Sequence, residues 1–173
     1  MAPVADDGVI IKPRTNMKAV LLVVGKTTDR HIVACIDDYV ARIAHYLPFS
    51  LQVIPELKST KSLTKAQQCD REGELILKQL KSGDYVVLLD EHGVERGSME
   101  FARWMESKQH TVPRQLVFVV GGPYGFSDAV YARADEKISL SKMTFSHQMV
   151  RLIFVEQIYR ACTIIKGEPY HHE

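Results

Sequence analysis

From residue 17 to residue 166 the chain alternates short apolar runs with longer segments of helical spacing, and that order leaves few folds open. The runs at 19–24, 51–55, 85–89, 116–120 and 137–140 are the length of buried strands. Between them, Ile32, Ile36, Tyr39, Ile43 and Leu47 predict a helix over 29–47, closed by Pro48 because the residue before a proline avoids the α region. A second helix is expected from about Ser62 to Lys81, with Gly83 as its stop. A third carries Phe101, Trp104 and Met105 behind Ser98 as N-cap, a short fourth spans 128–134, and a fifth runs over 147–166. Residues 90–97 read as a polar loop. Strands separated by helices pair in parallel, and a parallel sheet must be covered on both faces. The expected class is therefore α/β, a single domain with a mostly parallel sheet and helices on both faces.

A chain of 173 residues with 46% apolar content fills one core, here assigned to 17–173. Residues 1–16 hold two prolines and an acidic pair without periodicity, and are expected to form a flexible N-terminal extension. The sequence has neither an apolar run long enough to span a bilayer nor a basic-then-apolar leader, so no membrane role and a cytoplasmic location are expected. Cys35, Cys69 and Cys162 are odd in number and widely spaced, which indicates reduced thiols packed as small hydrophobes. Lysine and arginine total 22 against 21 acids. Without a global field, any RNA partner would have to be recognised locally.

The last third concentrates the candidate chemistry. Gly121, Gly122 and Gly125 follow an apolar run, but the pattern is neither Gly-x-Gly-x-x-Gly nor a P-loop. A second polar loop, 141–146, leads into the fifth helix, where Ser146 is a candidate cap and His147 and Arg151 share a face. These two could orient a phosphate or an ionising ring nitrogen. The fifth helix is apolar nearly all round, as Leu152, Val155, Tyr159 and Ile164 add to Val150, Ile153, Phe154, Ile158, Ala161 and Ile165. Such a helix needs burial on two sides, and a homodimer interface is the expected second cover. Tyr170, His171, His172 and Glu173 come after Pro169. Adjacent histidines diverge and no other ligand has fitting spacing, so no metal is expected.

Taken in order, 116–125, 140–151, Glu156-Gln157-Ile158-Tyr159-Arg160-Ala161 and Tyr170-His171-His172-Glu173 resemble the ribosomal RNA large subunit methyltransferase H family of the SPOUT superfamily. The likeness extends to Val24-Gly25-Lys26, Arg71-Glu72-Gly73-Glu74 and Leu88-Leu89-Asp90, and covers residues 17–173. The resemblance implies a homodimeric enzyme whose α/β domain ends in a C-terminal trefoil knot. Its cofactor would be S-adenosyl-L-methionine, and its substrate N3 of a pseudouridine in large-subunit rRNA of the assembled ribosome. It also implies that Leu89, Gly121, Leu140, Ser141, Lys142, Met143, Thr144 and Phe145 bind the cofactor, with His147, Arg151, Tyr170 and His171 on the substrate side. Many relatives carry proline where this chain has Ser146, which exchanges a rigid turn for a helix cap.

N3 of a pseudouridine is protonated at neutral pH, so methylation needs a base or a site that stabilises the anion. His147 or His171 is expected to take or stabilise that proton, Arg151 to bind phosphate or developing charge, and Tyr170 to contact the base. Two other readings stand beside this one: a SPOUT methyltransferase for transfer RNA or another ribosomal position, and a non-catalytic RNA-binding protein of the same fold.

Overall fold

Residues 16–172 are described by the computed structural model. Except for Asn16, the extension expected at 1–16 lies outside them. Five parallel strands form one sheet in the order β2-β1-β4-β3-β5, with β1 at Lys18–Val24, β2 at Phe49–Ile54, β3 at Tyr85–Glu95, β4 at Gln115–Val120 and β5 at Glu136–Ser139. Side chains alternate across a strand, so β1 feeds two cores. Ala19, Leu21 and Val23 point to one face with Leu116 and Phe118, where α1 (Arg30–Ile43), α3 (Ser98–Thr111) and α5 (His147–Lys166) pack. Val20 and Leu22 point to the other with Val117 and Val119, under α2 (Lys65–Gln79) and α4 (Asp128–Arg133). The α/β class with both faces covered is what the sequence indicates.

Element ends differ from the sequence reading for local reasons. The first helix stops at Ile43, and 44–47 tighten into a turn in which Tyr46 N donates to Ile43 O. Leu47 still reaches the core, which is why its spacing reads as helical. The second helix starts at Lys65 under a capping box in which Thr64 Oγ1 accepts from Gln67 N and Gln67 Oε1 from Thr64 N. It ends at Gln79 with Leu80 extended, so Gly83 is not its stop. Replacing Thr64 with Ala is expected to cost about 1 kcal/mol, read as a lower denaturation midpoint at unchanged slope.

The third helix is capped at Gly97, whose amide donates to Glu100 Oε2, and Ser98 Oγ donates instead to Gln157 Oε1 of α5. Most consequential for the site, the expected loop at 90–97 belongs largely to β3. Leu89 pairs with Ile138, the strand bulges out over 90–93, and Val94 returns to the same Ile138. Gly93 permits this return, since a Cβ there would lie 2.5 Å from the Ile138 carbonyl carbon. Of the three cysteines only Cys162 is buried, which pushes its thiol up to about 12, whereas Cys35 is exposed and so does not pack as a hydrophobe.

Candidate active site

Three adjacent strands, β4, β3 and β5, end side by side, and the loops that leave them enclose a cleft of about 530 Å³. In parallel α/β sheets this is where ligands sit, and the volume is within the range of small-molecule sites. Leu89, Val120, Ile138, Leu140, Phe145 and Val150 line it with apolar surface. Gly121, Ser141, Lys142, Met143 and Thr144 complete the walls, so all eight residues expected to hold a cofactor line one cleft. The second loop is braced from within, as Ser139 Oγ donates to Ser141 O and Met143 N to Ser141 Oγ. The Met143 side chain is left 77% exposed at the edge.

The β3 bulge brings Asp90 and Glu91 to the same cleft. Asp90 accepts a short hydrogen bond from Tyr131 Oη and one from His92 N at 2.7 Å. Burial and that carboxylate raise the Tyr131 phenol well above its ordinary value, so it stays a donor. On sequence alone this acidic pair sits awkwardly beside a phosphate-rich substrate; in the fold it faces the cleft, where it suits a cationic ligand.

His147, the first residue of α5, also lines the cleft. Two side chains further along the first turn of the helix hold it in place. Gln148 Oε1 accepts from Thr28 N at 3.1 Å and Asp29 N at 2.8 Å, and its amide donates to Thr28 Oγ1. Arg151 is 3% exposed and donates to Val24 O at 2.7 Å, Gly25 O at 2.8 Å and Thr27 Oγ1 at 2.9 Å. The guanidinium is thus committed to the turn after β1 and is not among the residues lining the cleft.

Tyr170 and His171 are elsewhere again. Tyr170 Oη donates to Glu156 Oε1 at 3.0 Å and lies 3.3 Å from Tyr39 Oη, and its ring meets Tyr159 edge-on. Burial, Tyr39 and Glu156 together raise its phenol far above the usual range. Arg160 donates to His171 Nδ1 at 3.1 Å and to Glu156 Oε1 at 2.6 Å. Arg160 is thirteen residues beyond His147, so this tail cluster sits about 20 Å along α5 from the cleft of its own chain. Among the described residues no group of three or more His, Cys, Asp or Glu side chains could hold a metal, and no helix is long and apolar enough to cross a membrane. Gln148 and Tyr131 escape sequence reasoning because their partners, Thr28 and Asp90, lie 120 and 41 residues away.

A family model described as predicted SPOUT methyltransferase matches residues 17–171, the same stretch that builds the sheet, the cleft and the tail. The chain belongs to the SPOUT methyltransferase family. Within this SPOUT family it is 64% identical over 157 residues to the ribosomal RNA large subunit methyltransferase H of Bacteroides fragilis, covering 91% of this chain and 100% of the relative. The protein of the same name from Parabacteroides distasonis is 63% identical over the same coverage. That of Christiangramia forsetii is 54% identical over 88% of this chain and 97% of its own length.

Proposed function

We propose that this protein is a cytoplasmic, homodimeric methyltransferase that acts on N3 of a pseudouridine in the large-subunit rRNA of the assembled ribosome, with S-adenosyl-L-methionine as donor. The observation that carries the reading is the gathering of Leu89, Gly121 and 140–145 around one cleft at the strand ends of a SPOUT domain. The family's C-terminal trefoil knot is part of the same reading.

The residues present fit the cofactor. The apolar walls suit an adenosine, Gly121 stands where a Cβ would come within 3.2 Å of Gly125 O and the Phe126 ring, and Asp90 and Glu91 suit a positive charge. When bound, S-adenosyl-L-methionine supplies an electrophilic methyl on a sulfonium that leaves as a neutral thioether. Its adenosine would be held by Leu89, Leu140 and Phe145, and by the loop 141–144.

The protein's own task is to place the acceptor ring and accept its proton. The proton leaves N3 for a base while the nitrogen lone pair forms the new bond to carbon. Of the two candidate histidines, His147 is the one at the cleft, which His92 of the β3 bulge also lines, and the lone pair of His171 Nδ1 is already engaged by Arg160. Tyr170 remains a neutral phenol whose single proton goes to Glu156 Oε1, so it meets the base through its ring or as a hydrogen-bond acceptor. Arg151 acts by position: it and Gln148 lock the start of α5, and hence His147, to the turn after β1.

A homodimer supports this arrangement in two ways. Leu152, Ile153, Tyr159, Ile164 and Ile165 are only partly covered along α5. A second copy packed there would bring its tail to a cleft that a chain's own tail does not reach. With a near-neutral surface the protein gains little from counterion release, so a preformed ribosomal surface suits it better than free RNA. Incubation of ribosomes and of transfer RNA with labelled cofactor, the RNAs being separated afterwards, tests the substrate class. Label entering large-subunit RNA is expected; label entering only transfer RNA would shift the reading to another SPOUT substrate.

A further inference from the structure

Glu72 has no part in the mechanism above, yet it is one of the few acids buried in the protein, at 4% exposure. It projects from α2 towards the glycine loop after β4. Its Oε1 accepts from Gln68 Nε2 at 3.1 Å one turn earlier, while Oε2 is buried without a hydrogen-bond partner among the described residues. None of the ion pairs of the described residues includes it. A buried carboxylate oxygen left in this state is costly, and a nearby positive charge would offset that cost.

The geometry shows what that oxygen faces. A Cβ built on Gly122 would lie 2.1 Å from Glu72 Oε2 and 2.7 Å from its Cδ, so the carboxylate occupies the space where a side chain at 122 would stand. Gly122 is itself a wall of the cleft. Glu72 therefore sits directly behind that wall, separated from the ligand space by a glycine backbone. Its backbone is held there too, because the adjacent Gly73 lies so close to α4 that a Cβ would come 2.3 Å from Ser127 Oγ. With Asp90 and Glu91 on the bulge side, the cleft has negative charge at its rim and behind its floor.

We propose that Glu72 is a charge-selectivity residue: a buried anion behind Gly122 that makes the cleft prefer the cationic sulfonium donor to the neutral thioether left after methyl transfer. The proposal rests on the cofactor assigned above. The two ligands differ by one methyl and one charge, and a water-poor wall transmits a fixed charge far better than solvent does. Glu72 is a positioning and specificity element that does not touch the reacting atoms. Its effect is to favour exchange of spent for fresh cofactor.

Calorimetric titration of the full-length protein with S-adenosyl-L-methionine and, separately, with S-adenosylhomocysteine tests this. Glu72→Gln removes the charge and keeps the shape. It is expected to weaken binding of the sulfonium about tenfold while leaving the thioether's affinity unchanged, and Glu72→Asp is expected to retain most of the preference. An equal loss for both ligands would mean that Glu72 only holds the loop, and no change for either would mean that its carboxyl is electrostatically silent; both overturn the proposal. If wild-type protein binds neither ligand, the cofactor assignment itself falls. Should Glu72→Gln fail to fold, competition on wild-type protein decides between sinefungin, with an amine in place of the sulfonium, and S-adenosylhomocysteine. Preference for the amine that persists in a variant with Asp90→Asn and Glu91→Gln supports the charge behind Gly122, and preference for the neutral thioether overturns it.

Discussion

A chain ending at Pro169 is expected to bind the cofactor normally and to lose methyl transfer by roughly a hundred- to ten-thousand-fold, the range for removal of acid–base and hydrogen-bonding groups. The two halves of that expectation come from different parts of the molecule. The cleft is lined by residues between 89 and 150, none of which belongs to the tail. Tyr170 and His171 are held by Glu156, Tyr39 and Arg160 on the α1 and α5 side. Truncation thus leaves the cleft intact and removes groups that, in the proposed homodimer, a second copy would bring to it. Mixing the truncated chain with a full-length His147→Ala variant, whose own cleft lacks its proposed base, should restore part of the activity through mixed dimers. Full activity in the truncated chain would exclude the tail from the site, and no recovery on mixing would count against a shared one.

Replacement of Arg151 with Ala is expected to cost about 3 kcal/mol or more of folding stability, since charge-assisted hydrogen bonds of this kind are among the stronger ones. The change strands Val24 O and Gly25 O, both of which accept from the guanidinium, and frees the Thr27 hydroxyl. It also opens a void beneath α5. Lysine should not rescue it, because a single ammonium cannot serve three acceptors spread across a planar fork. Denaturant unfolding checks the prediction. If Arg151→Ala protein unfolded at the wild-type midpoint and lost only activity, Arg151 would be a substrate contact and not the brace described here.

These residues also show what a sequence can and cannot reveal. The strands of the sheet were legible because β1, β3 and β4 are apolar on both faces, a pattern that only a sheet covered twice requires. Residues 90–95 were not, because a bulged strand at a site is polar and its partner, Ile138, is set by tertiary pairing. The two loops of the cleft were visible as small-residue segments at strand ends, but their meeting depends on β4 inserting between β1 and β3. His147 and Arg151 share a helix face by spacing, yet one opens onto the cleft and the other is buried under the turn after β1. Spacing fixes a direction around a helix and says nothing about what lies in it. Glu72 reads as one charge among several on α2 until Gly122 is seen pressed against its carboxylate.

The central claim is the position of the methyl group. Ribosomes lacking the modification should be incubated with this protein and labelled S-adenosyl-L-methionine, and the large-subunit RNA digested and mapped by mass. One added methyl on N3 of a single pseudouridine is the predicted result. A methyl on any other nucleotide, or none despite measured cofactor binding, would contradict the account.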